Sequence, residues 1–146
     1  DRLVYETAPS AFHVTHNLTV VGKVQLMPFM SAWMTFRYAT GRPVTPIIGA
    51  VRHPGKDYYT PIYGPINSQR LPPFVRLDGG LSYFLPFGTS SAATVYGAVS
   101  NLLDRANGVR YEYSPDYSER RLRTSDYRRL FYVGASVSVG SLAPGM

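Results

Sequence analysis

The chain has 146 residues, enough for one domain with a sizeable core, and it carries no cysteine, which excludes disulfides and thiolate metal sites. Thirteen glycines, twelve prolines and twelve tyrosines against only 16% charged residues tilt the composition away from helix and toward strands and turns. The formal net charge of +6 invites a nucleic-acid partner. However, the basic excess is concentrated in ERRLRTSDYRR (Glu119 to Arg129), inside a segment dense in Tyr, Asp and Glu where internal ion pairs compete. We read the chain as having no nucleic-acid partner.

The chain opens DRLVYETAPS, without a basic n-region and an apolar h-region, so no signal peptide is expected there. No stretch approaches the roughly 18 apolar residues of a membrane-spanning helix.

The first clear pattern is THNLTVVGKVQLMP. Leu18, Val20, Gly22, Val24 and Leu26 alternate with Asn17, Thr19, Lys23 and Gln25, which predicts a strand near 15–27. After a tight break, SAWMTFRYATG puts Ala32, Met34, Phe36 and Tyr38 on one face and Trp33, Thr35 and Arg37 on the other, a strand near 31–40. Each run is about the 9–11 residues that a tilted membrane strand needs.

Residues 41–73 then hold seven prolines (Pro43, Pro46, Pro54, Pro61, Pro65, Pro72 and Pro73), and a long irregular loop without regular strand is expected. RLPPFVRLDGGLSYFLPFG resumes the alternation near 74–85, with Val75, Leu77, Leu81 and Tyr83 opposite Arg76, Asp78 and Ser82. A short break leads to AATVYGAVSN (92–101), with Ala93, Val95, Gly97 and Val99 on the dry side. A second long polar excursion spans 102–128. The last strand, near 129–140, carries Phe131, Val133, Ala135, Val137 and Val139 on one face and Tyr132, Gly134, Ser136 and Ser138 on the other. No strand is expected in the tail SLAPGM.

Short and long connections alternate, the rhythm of an outer-membrane barrel. None of the apolar faces carries a charge, whereas a soluble half-exposed sheet is expected to show Lys and Glu on its outer side. A soluble antiparallel domain, with its apolar face on its own core, shares the same periodicity.

With those residues identified, nearly all of Phe12 to Val139 resembles the C-terminal part of a TonB-dependent outer-membrane receptor. HVTHNLTVVGKV is similar to a strand of that family entered through a histidine-containing approach. TFRYATGRPVTPI resembles its strand-to-loop segment, with Gly41, Arg42 and Pro43. RLPPFVRLDGGLSYFLPF resembles a late strand built around Arg76, Leu77 and Asp78. TVYGAVSNLLDRANGVRYEYSPDYSERR resembles its penultimate strand and following loop, with Asn101, Asp104 and Asn107, and RLFYVGASVSV resembles the closing strand. One departure is the run from Val139-Gly140 to Met146, where the family generally ends on an aromatic residue.

The resemblance implies an all-β fold, an antiparallel transmembrane barrel segment of about five strands with two long extracellular loops. The family's barrels have about twenty-two strands, so the remaining strands and a plug domain would have to come from elsewhere. It further implies uptake of a scarce nutrient such as a ferric siderophore, energised through a TonB complex acting on that plug. It places the chain in the outer membrane of a Gram-negative-type bacterium, with membrane lipid as a partner. A structural or adhesion subunit of a larger outer-membrane assembly, and a soluble β-rich binding module, are the alternative readings.

No catalytic constellation, metal site or cofactor motif is apparent, and we do not expect an enzyme. His13 and His16, three apart on an expected strand, would point to opposite faces and make a poor metal pair. Candidate ligand-binding residues are the loop tyrosines Tyr58, Tyr59, Tyr63, Tyr113 and Tyr117 and the arginines Arg120, Arg121 and Arg123. Amphipathic rings beside guanidinium groups suit an anionic ligand. Arg37, Arg76 and Asp78 are expected to face the lumen, as a ligand or plug contact or as a structural ion pair.

Overall fold

The computed structural model describes residues 7–140, so the opening residues 1–6 and the tail SLAPGM, with the expectation made for it, lie outside the described region. The fold is all-β and antiparallel. It divides into two units. One comprises residues 18–37, 75–105 and 127–140, and the other residues 7–17, 38–74 and 106–126.

The first unit holds a five-stranded sheet built from β1 (Asn17–Met27), β2 (Met30–Ala39), β7 (Phe74–Phe87), β8 (Ser91–Ser100) and β11 (Leu130–Val139). Their spatial order is β1-β2-β7-β8-β11, so each long strand pairs with the next long strand along the chain. These bounds lie within about two residues of those expected from alternation. The turns explain the sharp breaks. Gly88 adopts φ 65° between β7 and β8, a region that glycine enters without steric cost. Phe29 holds φ 70° between β1 and β2, and its carbonyl accepts the Phe84 N–H at 2.7 Å.

Register brings the separate alternations onto common faces. Leu81 stands opposite Gly97, Tyr83 opposite Val95 and Leu85 opposite Ala93. Across the next ladder Phe131 faces Val99, Val133 faces Gly97, Ala135 faces Val95 and Val137 faces Ala93. On the other side Ser82 faces Tyr96, which faces Gly134, and Thr94 faces Ser136. β2 joins the same polar side, because Ser31 Oγ and Ser82 Oγ share a hydrogen bond of 2.9 Å. Because the side-chain period is two, a slip of one residue in any ladder would have mixed the faces.

Glycine makes room for two aromatic rings on the polar side. A side chain at Gly80 would meet the Trp33 indole nitrogen at 2.8 Å, and one at Gly134 would collide with the Tyr96 ring. Trp33 and Tyr96 therefore lie over the backbone of the neighbouring strand, in space that only glycine leaves free.

The apolar side lacks a protein partner among the described residues. Val133 is 85% exposed, and Phe131, Val137 and Val139 are likewise open. Leu71, in the other unit, is the only buried hydrophobic residue among the described residues.

The second unit corrects the expectation of a long irregular loop. Residues 41–73 contain β3 (Pro43–Val44), β4 (Ile47–Arg52), β5 (Tyr59–Tyr63) and β6 (Gln69–Arg70), paired β3 with β6 and β4 with β5. The second excursion contains a hairpin of β9 (Gly108–Tyr113) and β10 (Arg120–Thr124). Prolines did not prevent these strands because a two-stranded ribbon has a free edge on each strand. A residue without an N–H there removes no ladder bond, and Pro43 opens β3 while Pro61 sits in β5. At Gly41 an added Cβ would run into the Leu71 carbonyl oxygen, so backbone alone fits there.

The histidine expectation is also corrected. His13 and His16 precede β1 rather than lying on it, and His13 Nδ1 is 2.9 Å from Arg70 Nη2. No group of three metal-ligating side chains occurs among the described residues.

Candidate functional site

The polar side of the five-stranded sheet carries the site. Alternation on β2 sends Trp33, Thr35 and Arg37 to this side, and alternation on β7 sends Arg76 and Asp78 there. Together with Ser100 of β8 and Tyr132 of β11, they border a recess of about 310 Å³.

Arg76 is engaged through two of its three nitrogens. Its Nε donates to both Asp78 oxygens, at 2.7 and 3.0 Å, and its Nη2 donates to Ser100 Oγ at 2.7 Å. Asp78 is buried and also accepts the Asn101 N–H at 2.9 Å. These donors offset the desolvation that burial imposes on the carboxylate. Two of the three residues expected to face the lumen thus form an ion pair with each other, and the third, Arg37, stands on the neighbouring strand.

Immediately beyond β8 a polar clasp closes the base of the second excursion. Asn101 is 3% exposed, and its side chain is engaged at both ends. Its amide donates to the carbonyls of Arg105 and Tyr127, and its oxygen accepts the Arg105 N–H. Asp104 accepts Arg128 Nε and Nη2 at 3.0 and 2.9 Å and the Arg129 N–H at 3.0 Å. Hydrogen bonds from Arg128, then from the Arg129 amide, hold the Asp104 carboxyl well below the usual carboxylate range. Asn101 and Asp104 adopt φ 54° and 48°. Among non-glycine residues, Asn and Asp tolerate that left-handed region best.

The loop residues singled out from the sequence belong to two hairpins of the other unit. Tyr59 and Tyr63 lie on β5, and Tyr58 just before it stacks on His53 with ring centroids 4.5 Å apart. Tyr113 ends β9 and lies 6.1 Å, ring to ring, from Tyr117. Tyr113 Oη accepts the Ile47 N–H at 3.3 Å, which ties the two hairpins together.

The arginines of β10 divide between its faces. Arg120 covers the Tyr111 ring at 4.3 Å and donates to Gln69 Oε1 at 2.7 Å. Arg121 and Arg123 share the opposite face with Glu112 and Arg110, and pair with Glu119 and Asp126 respectively. The loop candidates therefore lie on two hairpins joined through Tyr113, and much of the basic charge is met by neighbouring carboxylates.

Sequence reasoning put Trp33, Ser100 and Tyr132 on the wet faces of their strands without bringing them to one recess, and it missed Asn101 as a donor to the Asp78 carboxylate. Asn101 lies 23 residues from Asp78 and Ser100 lies 24 from Arg76, and no local spacing announces such contacts. The one available signal was the Asn-Leu-Leu-Asp stretch after β8, where polar turn formers follow a strand.

A shallow apolar groove of about 630 Å³ lies where Gly79 and Gly97 leave a gap in the apolar face, bordered by Met34, Leu81, Val99, Phe131 and Leu102. No family model, curated protein or solved structure matches the chain.

Proposed function

We propose that the chain is a stretch of outer-membrane β-barrel wall from a receptor that resembles the TonB-dependent transporters. In this reading it supplies staves and extracellular hairpins for the uptake of a scarce nutrient, and it is not an enzyme. The observation that carries the reading is the apolar face: aligned across β2, β7, β8 and β11, free of charge, and open at Met34, Leu81, Tyr83, Val95, Phe131, Val133 and Val137. Water is a costly neighbour for such a face, at about 25 cal/mol per Å² of apolar surface, while lipid is a matched one.

Strand order supports the same reading. Long strands pair strictly in sequence, short turns follow β1 and β7, and long excursions follow β2 and β8. β1 and β11 end the sheet, and each unsatisfied backbone group exposed to lipid costs several kcal/mol, on the order of a lost hydrogen bond. Further strands would satisfy those edges, and a plug would fill the polar side. Energy from a TonB complex would act through that plug rather than through this chain.

Fractionation of cells producing the protein tests the proposal. Recovery only with detergent from the outer membrane, with mobility on gels that changes on heating, is the expected result. Recovery in the aqueous phase without detergent would sink it in favour of a soluble β-rich module. Stoichiometric isolation with surface proteins and no response to any ferric ligand would favour a structural or adhesion subunit.

A further inference from the structure

We propose that the recess on the polar side of the sheet is a carboxylate-binding site built on Arg37. The proposal does not depend on what covers the opposite, apolar face.

Three formal charges border the recess, and two of them satisfy one another. Arg76 spends its Nε on Asp78 and one terminal nitrogen on Ser100. Arg37 makes no hydrogen bond to another described residue and acts on Asp78 only at longer range. The recess therefore holds one uncompensated positive charge, on a planar fork whose N–H groups are unused. A carboxylate matches that fork in shape and charge, with two parallel N–H···O bonds.

The neighbours narrow the class further. Thr35, two residues before Arg37 on the same face, and Tyr132 on β11 present hydroxyls that can donate to a bound oxygen. Trp33 lies across Gly80 and supplies an apolar wall. Asp78 stands in the same recess, so a dianion such as a phosphate monoester would overshoot the single available charge and be repelled. A monoanionic acid, either a small aromatic one or the acidic side chain of a polypeptide, completes the charge balance. About 310 Å³ admits either.

Trp33 is the only tryptophan in the chain and borders both this recess and the apolar groove, so the Arg37→Gln variant is what assigns a fluorescence change to the recess. The full chain in detergent micelles is titrated with benzoate, benzamide and phenyl phosphate, and with an acetylated glutamate-containing peptide and its glutamine counterpart. A saturable fluorescence change with benzoate or the glutamate peptide is expected, with binding at least about tenfold weaker for each neutral counterpart and for phenyl phosphate. Tighter binding of the peptide than of benzoate identifies a polypeptide side chain as the source, and the reverse order identifies a small acid.

Arg37→Gln is expected to weaken benzoate binding at least about tenfold with an unchanged far-ultraviolet circular dichroism spectrum, and Arg37→Lys to retain part of it. Equal binding of benzoate and benzamide, equal or tighter binding of phenyl phosphate, or an unaltered titration in a folded Arg37→Gln protein would each overturn the proposal. So would the lack of any saturable change with either acid.

Discussion

Arg76 and Asp78, two residues apart on one strand, close an ion pair at 2.7 Å whose carboxylate also receives the main-chain N–H of Asn101, 23 residues further on. The strand pleat puts both side chains on the same face, so the pair needs no turn to form. The Asn101 contact extends it across β7 and β8 and joins the wall to the base of the second excursion.

Removing one member leaves the others without partners. Asp78→Ala is expected to destabilise the protein by about 2–3 kcal/mol, since both a guanidinium and a buried N–H lose their acceptor. The double variant Arg76→Ala/Asp78→Ala is expected to cost less than the sum of the two single changes. Urea unfolding in detergent, followed by circular dichroism, measures all three.

Arginine placed on each face of β11 distinguishes lipid from water. Val133→Arg is expected to cost about 2–4 kcal/mol in lipid vesicles, and Ser136→Arg on the polar side distinctly less. If water bathed the apolar face, the 85%-exposed Val133 would accept the same change within about 0.5 kcal/mol. Urea titration of vesicle-folded protein reads the difference.

Asp104 supplies a pH-dependent element at the clasp. Its folded carboxyl lies below the ordinary value of 3.8, so its contribution is complete above that value and disappears as pH falls through the lower, folded one. The clasp is expected to stay closed from neutral pH down to about pH 4, and the ¹³C carboxyl resonance of Asp104 should titrate below 3.8. Asp104→Asn, which removes the charge at every pH, should speed tryptic cleavage after Arg128 and Arg129 several-fold at neutral pH.

The glycines of the sheet are expected to differ in their tolerance. Gly80→Ala places a Cβ 2.8 Å from both the Trp33 nitrogen and the Gly97 carbonyl oxygen. A cost of about 1–3 kcal/mol and a shifted Trp33 emission spectrum are expected. Gly97→Ala meets nothing closer than 4.0 Å and should be neutral or stabilise by up to about 1 kcal/mol. Thermal unfolding of the two variants, side by side, checks the contrast.

The long strands were legible because alternation is a local property. Phe131, Val133, Ala135 and Val137 declare a two-residue period wherever the strand is placed. The short hairpins at Ile47–Arg52 and Tyr59–Tyr63 were not legible. Their prolines argue against strand when judged residue by residue, and only a ribbon with free edges accommodates them. The loop residues stood out by type alone. Tyr113, Tyr117 and Arg120 suit an anionic ligand in sequence, yet in the fold Tyr113 is engaged by Ile47 and Arg120 by Tyr111 and Gln69.

Residue order alone thus settles which long segments are extended and which of their faces is dry, because both follow from side-chain polarity repeating along a pleated backbone. Tertiary structure alone decides that the dry faces coincide, that Asp78 meets Asn101, and that Arg37 stands in a recess with its fork unused. Those outcomes depend on register, and register is set by pairing with strands far away in the chain, where no local period reaches.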